Sequence, residues 1–402
     1  MKIAWLTPYP VVTLGDSIEW GVRRASIHPC SWIINLQREL VKLPNVELHL
    51  LTLTPWVKRT QRVEKDGATI HVIKNGVPFF HKGFPPYMPV DVITGFMQDR
   101  WLLKKELEKI NPDVVHGHGT ENAYALAAVN AGVPAFFSMQ GIIAEINKVN
   151  STLRFRMVER MERKAIQKTE YASCRTAFDT GFVRAVNPST HIFQIQEAMN
   201  PVYFKQQWNG CGRKRILFVG SMGKHKGLDY LLQAVKILSA EDPQVELCVV
   251  GGTPAEIDVC RQRCQELGIE RQVEFAGFLN APAIVPYHLS CRVFVIPSTN
   301  ENSPNTLAEA MVSGMPCVAS AVGGIPSMVE DEKTGLLFQS GDVGGLVNQL
   351  KRVLYDDELC RKLGSSAGEV ARARHRPETV AKATLAAYQY MLDSAGKAAQ
   401  KR

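Results

Sequence analysis

Twice along this chain, apolar runs of strand length alternate with stretches long enough for a helix, and that recurrence limits the fold more than any other feature. In the first half, residues 3–7, 46–53, 69–73, 113–116 and 135–139 read as strands, the third of them short and near an edge. Residues 32–40, 101–110 and 151–170 read as helices between or after them. A turn-rich segment at Asn209, Gly210, Cys211 and Gly212 places a change of unit near 200–213. The alternation then restarts: strands at 215–220, 245–252, 273–277, 292–296 and 317–320, a closing strand within 333–338, and helices at 228–238 and 379–392. Parallel neighbours need a crossover of helix length, so the pattern predicts an α/β chain with two doubly wound parallel sheets. At 402 residues, two domains are expected before one. The proline- and aromatic-rich stretch 76–90 is expected to be a loop.

Hydrophobic residues make up 45% and charged residues 21%, enough to bury two cores without a membrane-like composition. No apolar run approaches the roughly 18–20 residues that span a bilayer, and Pro8 interrupts the first apolar run too early for a signal peptide. The nine scattered cysteines suit reduced thiols and a cytoplasmic setting; Cys260 and Cys264 share a helix face and not a zinc knuckle. The net charge of +8, from 47 basic and 39 acidic residues, favours an anionic partner. The charge is not gathered into one aromatic-rich patch, so nucleic acid is not expected.

Ligands gather at the carboxyl ends of parallel strands. In the first half this singles out residues 7–15, His116-Gly117-His118-Gly119 and Gln140-Gly141. In the second half, residues 297–309 run from a strand through a polar loop into a helix. Ser303 is expected to cap that helix, with Pro304 at its first position. The amides of Asn305, Thr306 and Leu307 then point from its positive end at an anion. Glu309 lies one turn deeper and Glu301 just before the helix, so a diphosphate held there could offer hydroxyls to both. Two further loops suit phosphate. Gly220, Ser221, Met222, Gly223, Lys224, His225, Lys226 and Gly227 join a strand to a helix with glycines and lysines; the free amides at Gly323 and Gly324 open another short helix. An ordinary capped helix and a basic turn are the plain alternatives.

Lys226-Gly227, residues 275–278, Glu301 and Glu309 with seven residues between them and Ser303-Pro304 among these, the Gly323-Gly324-Ile325-Pro326 loop and residues 333–338 resemble, in this order, the retaining glycosyltransferases of family 4. The resemblance covers residues 215–340 and is looser before them. It implies a GT-B fold: two Rossmann-like doubly wound domains facing across a cleft. Residues 1–200 would bind the acceptor and 201–378 the nucleotide sugar, with the last helix, about 379–402, packed back on the first domain. It implies that Glu309 binds the ribose, Glu301 lies by the donor sugar, Lys226 neutralises the diphosphate, and Phe278 lines the base pocket. Gly220, Ser221, Lys224, Ser303, Asn305, Thr306, Leu307, Gly323 and Gly324 complete the donor site, and His118 and Gln140 line the acceptor side. Two positions depart from the family. Ser221 stands where an arginine is usual, making Lys224 the substitute cation, and Gln140 stands where a histidine is usual. A glutamine can donate a hydrogen bond but cannot titrate near neutrality.

The expected reaction is transfer of a sugar from a UDP- or GDP-type donor to an acceptor hydroxyl, retaining and metal-independent, without a cofactor, in cell-surface polysaccharide or glycolipid synthesis. The acceptor would be carbohydrate or lipid-linked. The basic helix at 151–170 is either a solvated surface or a contact with the inner membrane surface. A nucleotide-sugar epimerase and a non-catalytic nucleotide-sugar-binding module are the alternatives.

Overall fold

The computed structural model describes residues 1–22, 30–76, 89–149, 151–210 and 212–400. Most of the expected loop at 76–90, and Cys211 of the turn-rich segment, lie outside them. The chain divides into two units, Met1–Ala198 with Pro377–Arg402, and Met199–Arg376.

Among the described residues the first unit holds eight strands: β1 (Lys2–Leu6), β2 (Glu47–Thr54), β3 (Gln61–Lys65), β4 (Ala68–Lys74), β5 (Val114–His118), β6 (Ala135–Ser138), β7 (Tyr171–Cys174) and β8 (His191–Gln194). They lie in the order β3-β4-β2-β1-β5-β6-β7-β8. All neighbours are parallel except the β3–β4 hairpin. The third expected strand is near an edge, one strand in from it, and is longer than expected, at Ala68–Lys74. As β4 it lies between β2 and β3, because Asp66 and Gly67 both take positive φ (48° and 77°) and fold β3 back on it. Alternate side chains of β1 enter opposite cores, as both faces of a covered parallel sheet require. Ile3 and Trp5 join one cluster with Tyr388 and Met391 of the C-terminal helix Pro377–Gln400. Ala4 and Leu6 join the other, with Leu103 and Leu107.

The second unit holds β9 (Arg215–Val219), β10 (Glu246–Val250), β11 (Val273–Gly277), β12 (Val293–Ile296), β13 (Cys317–Ser320) and β14 (Leu336–Phe338). Their order is β11-β10-β9-β12-β13-β14, all parallel. After β9 the chain winds one way to β10 and β11, then crosses back to place β12 on β9's other side. The loops leaving β9 and β12 thus diverge, and a crevice opens at their carboxyl ends. Ile216, Phe218, Val249, Phe294, Leu307, Val318 and Leu336 belong to a single buried cluster under that edge.

Among the described residues, eight cysteines are free, no helix is long and apolar enough to cross a membrane, and no group of three His, Cys, Asp or Glu could hold a metal ion.

Candidate functional site

The crevice of the second unit is organised by an ion pair across the switch in strand order. Lys226 Nζ lies 2.6 Å from Glu301 Oε1, and Ser298 Oγ donates to the same oxygen at 2.9 Å. Lys226 closes a short 3-10 turn, Lys224–Lys226, that follows β9. The Thr299 amide, after β12, donates to the His225 carbonyl at 2.8 Å. Gly227 makes this approach possible: its φ is +69°, and a Cβ there would stand 1.9 Å from the Pro297 carbonyl oxygen. Any larger residue would push the β9 loop off the β12 loop.

The helix beyond Glu301 starts one residue later than expected, at Asn305–Val312, with Pro304 as its cap (φ −68°, ψ 118°). Ser303 makes no cap; its hydroxyl faces the Met328 sulphur at 3.8 Å. Leu307, Ala308, Ala310, Met311 and Val312 are the buried residues of this helix. The Leu307 amide donates to the Pro304 carbonyl at 3.2 Å, so it is not offered to a ligand as expected; the first-turn amides of Asn305 and Thr306 are. The Gly324 amide is likewise committed, to the Glu301 carbonyl at 3.1 Å. That bond joins the loops after β12 and β13, and leaves Gly323 (φ 51°) as the amide in this turn that the described backbone does not use.

Glu309 remains partly accessible, yet burial of its carboxyl pushes its pKa up to about 8. The hydroxyl of Tyr203, held in a turn at Pro201–Phe204, faces it; its own pKa is raised by burial and then by the Glu309 charge. Among the described residues the Tyr203 oxygen has no hydrogen-bond partner of good geometry. Gly220 ends β9 with its amide bonded to Val250 O at 3.0 Å. Ser221 and Lys224 are exposed beyond it, and Phe278, just past β11, is 68% exposed. Lys224 forms no ion pair among the described residues, whereas Lys226 does.

In the first unit, the carboxyl ends of β5 to β8 gather a second polar cluster. His116 is a strut. Trp5 Nε1 donates to the Tyr388 hydroxyl at 2.8 Å, so that hydroxyl donates onward to His116 Nδ1, and Nε2 donates to Ser138 Oγ at 2.7 Å. His118 stacks on His116, with centroids 3.8 Å apart, but its Nε2 is buried without a hydrogen-bond partner among the described residues. Burial and the nearby Arg175 cation lower its pKa to about 3, so the ring is neutral. Gly119 (φ +82°) lets Glu121 and Gln140 converge: a Cβ there would stand 2.3 Å from Glu121 Oε2 and 3.1 Å from Gln140 Oε1. Glu121 accepts the Gly141 amide at 3.0 Å. Glu162 accepts from Thr120 Oγ1 at 2.6 Å and from the amides of Ile143 and Ala144. Arg175, just after β7, pairs with Glu197, and both are buried. Residues 7–15, the remaining expected acceptor element, turn through a 3-10 segment at Val11–Ser17, with Thr7 buried and bonded to Leu51 O.

The family profile described as glycosyl transferases group 1 matches residues 203–370. The match lies wholly within the second unit and covers less than half of the chain. A D-inositol 3-phosphate glycosyltransferase of Corynebacterium aurimucosum is 34% identical over 164 residues, which are 40% of this chain and 39% of that protein. A sulfoquinovosyl transferase of Arabidopsis thaliana is 31% identical over 182 residues, 43% of this chain and 34% of that protein. The matched stretches thus span under half the length of these relatives. Among solved structures, a sucrose-phosphate synthase from Thermosynechococcus elongatus superposes with a TM-score of 0.78 at 18% identity, covering 98% of this chain and all of that one. Anabaena HepE, solved in complex with UDP, superposes at 0.68 and 16% identity, covering 97% and 100%. The fold is the GT-B fold of the glycosyltransferases.

Within the group 1 domain, the structure brings Gly220, Lys226, Glu301, Asn305, Thr306, Gly323 and Gly324 to one sheet edge, with Glu309 one turn below. Sequence reasoning missed Tyr203, which precedes the domain's first strand and has no spacing that ties it to Glu309. Outside that domain it missed Glu121, Glu162, Arg175 and Glu197. Strands β7 and β8 are four residues each, so the ends that place Arg175 and Glu197 had no readable strand in front of them.

Proposed function

We propose that this chain is a retaining glycosyltransferase that moves a sugar from a nucleotide-diphosphate sugar to an acceptor hydroxyl. The observation that carries the reading is the Lys226–Glu301 pair, set where the strand order of the group 1 domain reverses. The pair is mostly buried, Lys226 25% and Glu301 10% exposed, so it separates only when each partner is given a replacement. An entering diphosphate supplies the anion to Lys226, while Glu301 turns to the donor sugar's hydroxyls. The amides of Asn305, Thr306 and Gly323 share the diphosphate charge, and Glu309 holds the ribose. The bond from the anomeric carbon to the phosphate oxygen breaks with its electron pair going to the diphosphate. Lys226 and the amides stabilise that growing charge. The acceptor oxygen bonds to the anomeric carbon on the same face and gives its proton to the departing phosphate oxygen. The first unit binds the acceptor; the neutral His118 Nε2 and the Gln140 amide supply its hydrogen bonds, and no histidine base is used. UDP is the first base to test, since HepE is solved with it, and GDP the second. The acceptor is carbohydrate or lipid-linked, the setting is cell-surface polysaccharide or glycolipid synthesis in the cytoplasm at the membrane's inner face, and the diphosphate needs no resident metal.

A thermal-shift series with nucleotide sugars, then transfer assays with the donor that stabilises, tests this reading. At 100 times Kd the true donor adds about 2.7 kcal/mol of stability. Glu309→Ala should weaken donor binding roughly tenfold, about 1.4 kcal/mol. Lys226→Ala should lower kcat more than it raises KM. No stabilisation by any nucleotide sugar, or a new epimer formed from donor alone, refutes the proposal.

A further inference from the structure

Large apolar side chains lie exposed along one winding segment of the first unit. They are Val90 and Ile93 (both 48% exposed), Met97 (65%) and Trp101 (59%). Val90–Ile93 is a one-turn helix, and Met97 and Trp101 are four residues apart on the next helix, Met97–Ile110. They therefore share its outer face. The helix Leu153–Lys168 packs beside this segment: Arg154 pairs with Asp91 at 2.5 Å, and Met161 Sδ would lie 3.5 Å from a Cβ on Gly95. Leu153, at 48% exposure, extends the apolar surface onto that helix.

Cations border this surface. Lys105 Nζ lies 5.2 Å from the centroid of the Trp101 ring. Arg156 and Arg160 are exposed on the Leu153 face, three and seven residues on, and neither pairs with a carboxylate among the described residues. A soluble surface seldom leaves a tryptophan, a methionine and several aliphatics bare side by side. A protein partner would suit the apolar part alone. Unneutralised arginines and lysines around it match a surface of fixed negative charge with an apolar interior beneath, where aromatic rings rest at headgroup depth.

We propose that Val90, Ile93, Met97, Trp101 and Leu153 insert into the surface of an anionic lipid bilayer while Lys105, Arg156 and Arg160 meet its headgroups. This deepens the lipid-linked arm of the functional reading and is tested apart from it, because vesicle binding and donor binding are read separately. The whole chain is sedimented with vesicles of phosphatidylcholine alone and with about a third phosphatidylglycerol. Binding should favour the anionic vesicles and fall with salt. Each cation near the surface is worth roughly a fivefold change in partition. Arg156→Glu with Arg160→Glu should therefore weaken binding by tenfold or more. Met97→Ser with Trp101→Ser should do the same at any salt concentration. Both pairs should keep the wild-type thermal shift with the donor, which shows that they fold. Equal binding by wild type and both double variants overturns the proposal. So does a wild-type dimer in light scattering that Met97→Ser with Trp101→Ser dissolves, since the face would then serve a second copy.

Discussion

Glu162 shows what a single residue does here that its place in a charged helix conceals. Along residues 151–170 it reads as one more solvated acid. In the structure it is 1% exposed, and its carboxyl binds Thr120 and the first two amides of the helix Ile143–Val149. Burial, with the Glu121 charge beside it, raises its pKa from an ordinary 4.5 to about 7. The folded state then holds a proton that the unfolded chain releases near 4.5. Stability is full below that value and is lost as pH rises through about 7, by ~3 kcal/mol at most. Glu121, also raised by burial, acts in the same direction. The expected outcome is a melting temperature that falls between pH 5 and pH 7.5, with a smaller slope in Glu162→Gln. An unchanged slope would mean that Glu162 is already ionised in the fold. Burial decides this residue, and burial depends on which neighbours fold over it; the amphipathic spacing marks a face but not its cover.

At the scale of elements, the readable parts are those whose chemistry is local. The strand runs of the second half and the glycine–lysine turn after β9 carry their own signals, and the structure has them within a residue or two. The hairpin of β3 and β4 also carried one, in Asp66-Gly67, but β3 has a single apolar residue, Val63, and so gave no strand signal ahead of the turn. The Ser303 cap failed for another reason: Pro304 stays extended as the residue before the helix, and the Ser303 hydroxyl turns to the Met328 sulphur. Gly227 joins the two kinds of constraint. Its sequence says only that a turn is permitted, whereas the structure shows the turn pressed against Pro297. Gly227→Ala should therefore destabilise the second unit by about 2 kcal/mol or more through strain and displacement. It should also reduce donor-induced stabilisation, because Lys226 moves with the turn. A variant that melts like wild type and binds donor equally would show that the loops tolerate separation.

At the scale of the molecule, the first unit is completed by the end of the chain. Residues 379–392 show a helix but not what it packs on; only the resemblance to family 4 implied a return to the first domain. The reason lies in pairs far apart in sequence. Tyr388 is fully buried, accepting from Trp5 and donating to His116, and Val380, Ala381 and Met391 share its core. A chain ending at Arg376 would take from Trp5 and His116 the hydroxyl that both bond and would expose the apolar surface of that core to water. The unit Met199–Arg376 has its own sheet and core, and its two ends meet where the Met199 amide donates to the His375 carbonyl at 3.2 Å. Calorimetry of the chain ending at Arg376 should show the second unit's transition kept and the first unit's lost. The same nucleotide sugar that stabilises the whole protein should raise the surviving transition, because the diphosphate amides, Lys226 and both glutamates all lie within it. A surviving transition indifferent to that ligand would mean that donor binding needs the first unit as well.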